Sequence, residues 1–194
     1  MINENFIYLG ILLSFLGFVS YLIDTLKGKA KPNKVSFFIW ALAPLIAFAA
    51  IVKQGVGIQS LLTFIVGFNP LIIFFASFVN KKSYWKITKL DVICGILAVI
   101  GIILWRITGS GNLAIFLSIV ADGLASALTI IKSYHFPETE NIYAYLGSGI
   151  AALITIATIR FWRFELIAFP FYIFVVCLIL VVLIRFKIGK RFAS

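Results

Sequence analysis

The chain has 194 residues, of which 62% are hydrophobic and only 12% are charged, with a formal net charge of +10. A soluble core and shell cannot use so large an apolar fraction, so the composition excludes an ordinary soluble domain. The apolar residues form unbroken runs and not the short alternating strands of a membrane β-barrel. The sequence therefore predicts an all-α membrane protein.

Seven apolar stretches approach or exceed the roughly 20 residues that cross a bilayer. The predicted helices 1 to 7 cover residues 6–26, 35–52, 58–79, 90–108, 111–132, 142–160 and 165–185. Helix 1 follows an acidic segment where a secretory signal would be basic, so we expect it to be retained. Helix 4 has the shortest uncharged run, because Asp91 and Arg106 lie near its ends and must reach the two interfaces.

Helices 2 and 3 carry residues that are unusual at mid-depth. A proline deprives the carbonyl one turn earlier of its hydrogen bond, so Pro44 and Pro70 are candidate hinges, as is Pro170 in helix 7. The amide of Asn69 has donors and an acceptor that lipid cannot satisfy, so we expect it to line a cavity. Trp40 lies inside helix 2, whereas membrane tryptophans usually anchor helix ends.

Helix 5 contains Asp122 about halfway along its apolar run. A carboxylate at that depth is costly unless it is paired, protonated or hydrated. Together with Ser118, Ser126 and Thr129 it forms a polar stripe, which must face the bundle interior or a wet cavity. Two roles stay open for Asp122: binding a polar or cationic group of a solute, or carrying a coupling proton.

An internal repeat relates the two halves of the chain. A shift of 105 residues places Pro32 on Pro137, Trp40 on Tyr145 and a face of small residues in helix 2 on a similar face in helix 6. Two three-helix bundles, helices 1 to 3 and 5 to 7, would then flank helix 4 in a parallel 3+1+3 plan. The predicted domains are residues 1–80, 81–108 and 109–194, the last with a basic tail. Trp40 and Tyr145 are expected to form aromatic walls for a solute.

Lysine and arginine are unequally divided between the two sides that alternating helices define. Thirteen of the 17 lie in the connections after helices 1, 3 and 5 or behind helix 7. The positive-inside rule then predicts a plasma (inner) membrane protein with its N-terminus outside and its C-terminus in the cytoplasm. The same charge favours anionic lipids at the cytoplasmic face. Nucleic acid is not expected, because the basic residues occupy short loops without a stacking platform.

These features resemble a known family of carriers. The first unit is similar to a SWEET or SemiSWEET triple-helix bundle in its basic connection, its serine at the start of helix 2 and its central asparagine in helix 3. The residues concerned are Lys27, Lys29, Lys31, Ser36, Trp40, Asn69, Lys81 and Lys82. The 3+1+3 plan also looks like the wider SWEET and PQ-loop group. The Pro-Gln pair of that group is absent, since Tyr21-Leu22 and Ser126-Ala127 stand at the nearest places, and helix 7 has Phe169-Pro170 where a second asparagine would fall.

The resemblance implies a small secondary carrier or facilitator that moves a sugar-like or amino-acid-like solute by alternating access. The candidate binding residues are Asn69, Trp40, Tyr145, Asp122, Ser118 and Ser126. Neither a cofactor nor a metal is expected, and a homo-oligomer stays open. One alternative is a vitamin carrier of the PnuC type, which has a similar helix count and repeat plan. Another is a scaffold or accessory subunit in which Asp122 pairs with a basic group on another protein.

Few residues could support enzyme chemistry. An aspartyl intramembrane protease needs two facing carboxylates, whereas Asp122 alone is central, and helix 7 lacks the mid-helix lysine of a retinal protein. The one histidine, His135, falls in a predicted loop, and Cys94 and Cys177 fall inside helices as ordinary buried thiols. The sequence also lacks a Gly-rich phosphate loop. We therefore do not expect an enzyme.

Overall fold

The computed structural model describes residues 2–79 and 89–192, and within these ranges it is all helical. The helices are α1 (Phe6–Leu26), α2 (Lys34–Lys53), α3 (Ser60–Ala76), α4 (Lys89–Thr108), α5 (Gly111–His135), α6 (Ile142–Thr158), α7 (Phe164–Phe186) and the short α8 (Ile188–Phe192), with one 3₁₀ turn at Pro137–Thr139. The all-α prediction is confirmed. The expectations for Lys81 and Lys82, and for the side chains of Asp91, Cys94 and Arg106, lie outside the described residues.

Local chemistry explains several helix ends. Asn33 caps α2 by accepting from the Val35 amide at 3.0 Å, and Asn141 caps α6 by accepting from the amides of Tyr143 and Ala144. These side chains satisfy amides that the first turn leaves without partners. The C-terminus of α5 extends further than predicted, so His135 is its last residue and not part of the loop that follows.

Among the residues that the structure describes, four helices, α1, α2, α5 and α7, are long and apolar enough to cross a membrane, and α3 and α6 are shorter apolar helices of 17 residues each. Their outward faces expose large apolar side chains, such as Leu12 and Leu16 on α1 and Phe171 and Leu178 on α7. Contiguous apolar surface of this kind is rare on soluble monomers and matches lipid tails. The chain is therefore described as a helical membrane protein.

For description, helices α1–α3 are called the first three-helix group and helices α5–α7 the second. In the first group α3 packs against both α1 and α2, and in the second α7 packs against both α5 and α6. The groups meet where α1 lies along α6 and α2 lies along α5. Helix α4 packs on α5 and α2 and exposes apolar side chains such as Ile96 and Ile103.

Contacts between connections show which ends lie together. The Lys132 ammonium at the end of α5 donates to the Lys31 carbonyl between α1 and α2 at 2.8 Å. Lys190 of α8 forms an ion pair of 2.8 Å with Glu138, which lies between α5 and α6. These lysine-bearing segments therefore share one end of the bundle, here called the basic end. At the opposite end the Ile2 amide donates to the Ala157 carbonyl at 3.2 Å.

The opposite end is closed by close packing of small and aliphatic residues from five helices. This apolar seal consists of Ala47, Ala50, Ile51, Leu62, Ala114, Ile115, Ala151, Ala152 and Phe169, each at most 2% exposed. Alanines let the helix backbones approach closely, which strengthens their dispersion contacts. Three buried polar residues of the interior, Asn69, Asp122 and Ser126, lie between this seal and the basic end.

Candidate functional site

A cavity of about 100 Å³ lies in the bundle interior, between the apolar seal and the basic end. Side chains of six helices, α1, α2, α3, α5, α6 and α7, surround it. The lining residues that the site depends on are Tyr21, Trp40, Asn69, Asp122, Ser126 and Tyr145. A cavity of this volume, with a largely apolar wall that carries a few polar groups, has room for several waters or for a small solute.

Asp122 is the only carboxylate among the described residues that line the cavity. Its side chain is buried on α5, where the Tyr172 hydroxyl of α7 donates to Oδ2 at 2.5 Å. The hydroxyl of Ser126, one turn further along α5, also approaches Oδ2, at 3.5 Å. No hydrogen bond to Oδ1 is formed within the described ranges. Asp122 is thus held from one side only, by hydroxyl groups.

The network continues from Asp122 to α2. The Trp40 indole N–H donates to Ser126 Oγ at 3.1 Å, and Ser126 Oγ lies 3.1 Å from the Tyr172 hydroxyl. When Ser126 donates to Tyr172, the hydrogen bonds all run in one direction. They lead from Trp40 through Ser126 and Tyr172 to the Asp122 carboxyl group. Such aligned hydrogen bonds polarise one another in a low-dielectric interior. Helices α2, α5 and α7 are thereby joined around one carboxyl group.

Asn69 of α3 also lines the cavity and is 7% exposed. Its Oδ1 is buried and has no hydrogen-bond partner within residues 2–79 and 89–192. An unpaired buried acceptor costs about 1–3 kcal/mol, so a partner that arrives with a solute or water would recover that energy. Pro70, the next residue, denies the Val66 carbonyl its helical partner, and Val66 lines the same cavity. Pro44 similarly affects the carbonyl of Trp40.

The basic end of the cavity is covered by a second polar cluster, which we call the latch: Tyr21, Lys132, Glu140 and Tyr145. Glu140 Oε1 accepts from the Lys132 ammonium at 2.7 Å, and its Oε2 accepts from the hydroxyls of Tyr145 at 2.7 Å and Tyr21 at 3.2 Å. The Glu140 side chain is only 2% exposed. Because Tyr21 and Tyr145 also line the cavity, the latch forms its wall on this side.

The structure brings most of the predicted site residues together. Five of them, Asn69, Trp40, Tyr145, Asp122 and Ser126, line the one cavity. Ser118 is buried on the same face of α5 but does not line it. The three candidate hinges, Pro44, Pro70 and Pro170, lie inside α2, α3 and α7. Whether they act as hinges stays a prediction.

Sequence reasoning missed two residues of the site. Tyr172 lies in an almost uniformly apolar helix, and its hydroxyl group was the sequence feature that could have identified it as a site residue. Glu140 lies in a polar connection, and its position just before the α6 cap gave no sign that it would be buried.

No family model matches the chain, and neither a curated protein nor a solved structure matches it. The resemblance to SWEET and PQ-loop carriers therefore stays a prediction from residues and helix plan. Fold and cavity together define the class as a helical membrane protein with a buried polar site at its centre.

Proposed function

We propose that this chain is a small secondary carrier that moves a small polar solute across a membrane by alternating access. The observation that carries the proposal is a buried carboxylate, Asp122, beside a cavity enclosed by helices from both three-helix groups. Ionisable groups at mid-depth are costly and usually mark a solute or proton pathway. Substrate sites of such carriers lie near the membrane midplane, between repeated units.

A parallel 3+1+3 repeat is part of the proposal, and the helix bounds support it. The shift of 105 residues relates Phe6, where α1 begins, to Gly111, where α5 begins, and Lys53, where α2 ends, to Thr158, where α6 ends. The packing also agrees, because α3 lies against α1 and α2 as α7 lies against α5 and α6. The contacts of α1 with α6 and of α2 with α5 become equivalent under the same repeat. Helix α4 would connect the two units.

The two closures of the cavity differ in a way that suits alternating access. The latch joins the units at the basic end through the hydrogen bonds from Tyr21 to Glu140 and from Lys132 to the Lys31 carbonyl, whereas the apolar seal joins them at the other end by close packing. Rocking one unit against the other would break one closure while keeping the second. Polar contacts can exchange partners with entering water, so we propose that the latch is the gate at the basic end.

The orientation follows from charge. The basic end is proposed to be cytoplasmic, with the N-terminus outside, because lysine and arginine concentrate on the cytoplasmic side of membrane proteins. Anionic head groups of a plasma (inner) membrane would then contact the exposed lysines of that end. The latch would face the cytoplasm and the apolar seal the exterior.

The scaffold alternative requires Asp122 to pair with a basic group on another protein. Asp122 is 3% exposed and already accepts a hydrogen bond from Tyr172, so such a group has no route to it in this conformation. Within the carrier, the same burial suits a carboxylate that is protonated when the cavity is dry and exchanges its proton when water or solute enters.

The test is transport by the purified chain in vesicles that contain a pH-sensitive dye. A panel of sugars, amino acids, nucleosides, vitamins and amines should include a class that crosses faster than in protein-free vesicles and changes the pH that the dye reports. Asp122→Asn should abolish uptake driven by a pH gradient. Glu165→Gln is the matched control, because Glu165 is a carboxylate of α7 that pairs with Arg163 outside the cavity. If the wild type accelerates no class in the panel, the carrier proposal fails.

A further inference from the structure

Most hydrogen-bond donors of the described residues around the cavity are occupied. The hydroxyls of Tyr21 and Tyr145 donate to Glu140, and the Trp40 indole donates to Ser126. The hydroxyls of Ser148 and Ser14 lie 3.2 Å apart and pair with each other. Only one hydroxyl of that serine pair can donate to the other, so among the described residues one serine hydroxyl and the Asn69 amide keep N–H or O–H groups without such a commitment. A solute that relies on accepting hydrogen bonds therefore finds few groups to receive them from.

Acceptors are what the cavity still offers. Asn69 Oδ1 is buried without a partner, and Asp122 Oδ1 receives no hydrogen bond in the described part of the chain. These two oxygens belong to helices α3 and α5, which come from different three-helix groups. A solute that donates N–H groups could satisfy both and would thereby connect the two groups.

The charge of the cavity points the same way. No lysine, arginine or histidine lines it anywhere in residues 2–79 or 89–192, so the Asp122 carboxylate has no counter-ion of its own. Aromatic rings of Phe18, Phe37 and Trp40 form much of the remaining wall. Ring faces attract cations, and this attraction grows when water is excluded.

We propose that the solute is a small organic ammonium ion, which pairs with Asp122, donates to Asn69 and lies against the aromatic wall. This inference rests on the proposed carrier function and names its substrate class. A sugar would need several hydrogen-bond donors from the cavity wall, and most of those donors already bond to other protein groups. An anion would face the Asp122 charge without a basic partner, and an amino acid would bring a carboxylate into the same place. The cavity volume favours a cation of a few carbon atoms.

The binding test compares solutes of the same shape and different charge, using the full chain in mild detergent at pH 8. At that pH n-butylammonium keeps its proton, as lysine does. Isothermal titration should show that n-butylammonium binds, whereas 1-butanol and butyrate do not. Tetramethylammonium, a cation without N–H groups, should bind more weakly than n-butylammonium. Equal or tighter binding of butanol or butyrate would overturn the proposal, and so would an absence of n-butylammonium binding.

Variants locate the site. Asp122→Asn should weaken n-butylammonium binding by at least about tenfold, because a charge-assisted hydrogen bond is lost. Asp122→Glu should retain binding, and Glu165→Gln should bind as the wild type does. An Asp122→Asn protein that binds with unchanged affinity would contradict the assignment. If that variant does not fold, the ranking of the four compounds by the wild type still decides the question.

A second readout separates this inference from the carrier function. Vesicles that contain the chain and unlabelled n-butylammonium should accumulate the labelled compound by exchange. Binding without exchange would support the ammonium site and refute the carrier. Proton-coupled uptake of a different solute, without n-butylammonium binding, would refute the ammonium site and keep the carrier.

Discussion

Tyr21 of α1 and Tyr145 of α6 donate their hydroxyls to the same oxygen atom, Glu140 Oε2. The two helices pack along each other and belong to different three-helix groups. The second carboxylate oxygen accepts from Lys132, whose ammonium also reaches the Lys31 carbonyl. One glutamate thus connects α1, α5, α6 and the segment between α1 and α2. Its substitution should therefore weaken the contacts among all four.

The first prediction concerns the stability that Glu140 provides. Glu140→Gln keeps the shape of the side chain but removes its charge, which leaves Lys132 without its ion-pair partner. We expect a loss of about 2 kcal/mol, the scale of a charged hydrogen bond, and a fall in Tm of about 4–8 °C. Thermal unfolding in detergent measures it.

Glu138→Gln is the matched control, two residues away. Glu138 pairs with Lys190, and this hydrogen bond holds the pKa of Glu138 below its usual value. The pair is about half exposed on both sides, so it adds little to stability, and the Tm should change by no more than about 1 °C. Equal Tm changes in the two variants would contradict a structural role of the latch.

The second prediction uses Cys177 as a reporter of opening. This thiol lies on α7, lines the cavity and is buried. In a Cys94→Ser background, Glu140→Gln should increase the rate at which a thiosulfonate reagent modifies Cys177 from the basic side, because the latch no longer excludes water. Inside-out vesicles give access to that side. An unchanged rate, equal to that of Glu138→Gln, would show that the latch is not the gate.

The third prediction tests which end of the bundle faces the outside of the cell. Lys29 is exposed at the basic end, and Ser110 is exposed just before α5 at the opposite end. Single cysteines at these positions, in a background without Cys94 and Cys177, should react differently with an impermeant maleimide. Applied outside intact cells, the reagent should label Ser110→Cys and not Lys29→Cys. The reverse pattern would invert the proposed orientation.

The fourth prediction concerns the interface between α1 and α6. A Cβ added to Gly147 of α6 would collide with the Leu13 carbonyl of α1, whereas one added to Gly57 would meet open space. Gly147→Ala should therefore destabilise the protein by about 1–3 kcal/mol, as overpacking does. At about 2–4 °C per kcal/mol, the fall in Tm should be easily measured. Gly57→Ala should leave Tm nearly unchanged, and a similar fall in both would argue against this close contact.

The helices could be predicted closely from the sequence because the length of an apolar run is a local property. The polar stripe of α5 could also be predicted, since helical periodicity alone places Ser118, Asp122 and Ser126 on one face. The extent of the cavity along that face could not be predicted, because it depends on how the other helices pack. Ser118, for example, lies outside the cavity. Tyr172 belongs to the site because it contacts Asp122, which is 50 residues away in sequence. Glu140 belongs to it because it contacts Tyr21, which is 119 residues away. No local pattern contains such pairings.

Gly17 occupies the position in α1 that the 105-residue shift relates to Asp122. A Cβ there would collide with the Tyr143 carbonyl of α6, so a second carboxylate has no room at the equivalent place. In the proposed carrier, a single site charge that takes either one proton or one monovalent cation would exchange them one for one. Such a cycle moves no net charge and forgoes the roughly 2.3 kcal/mol that 100 mV offers each elementary charge. Transport would be electroneutral, and concentration gradients alone would set its direction.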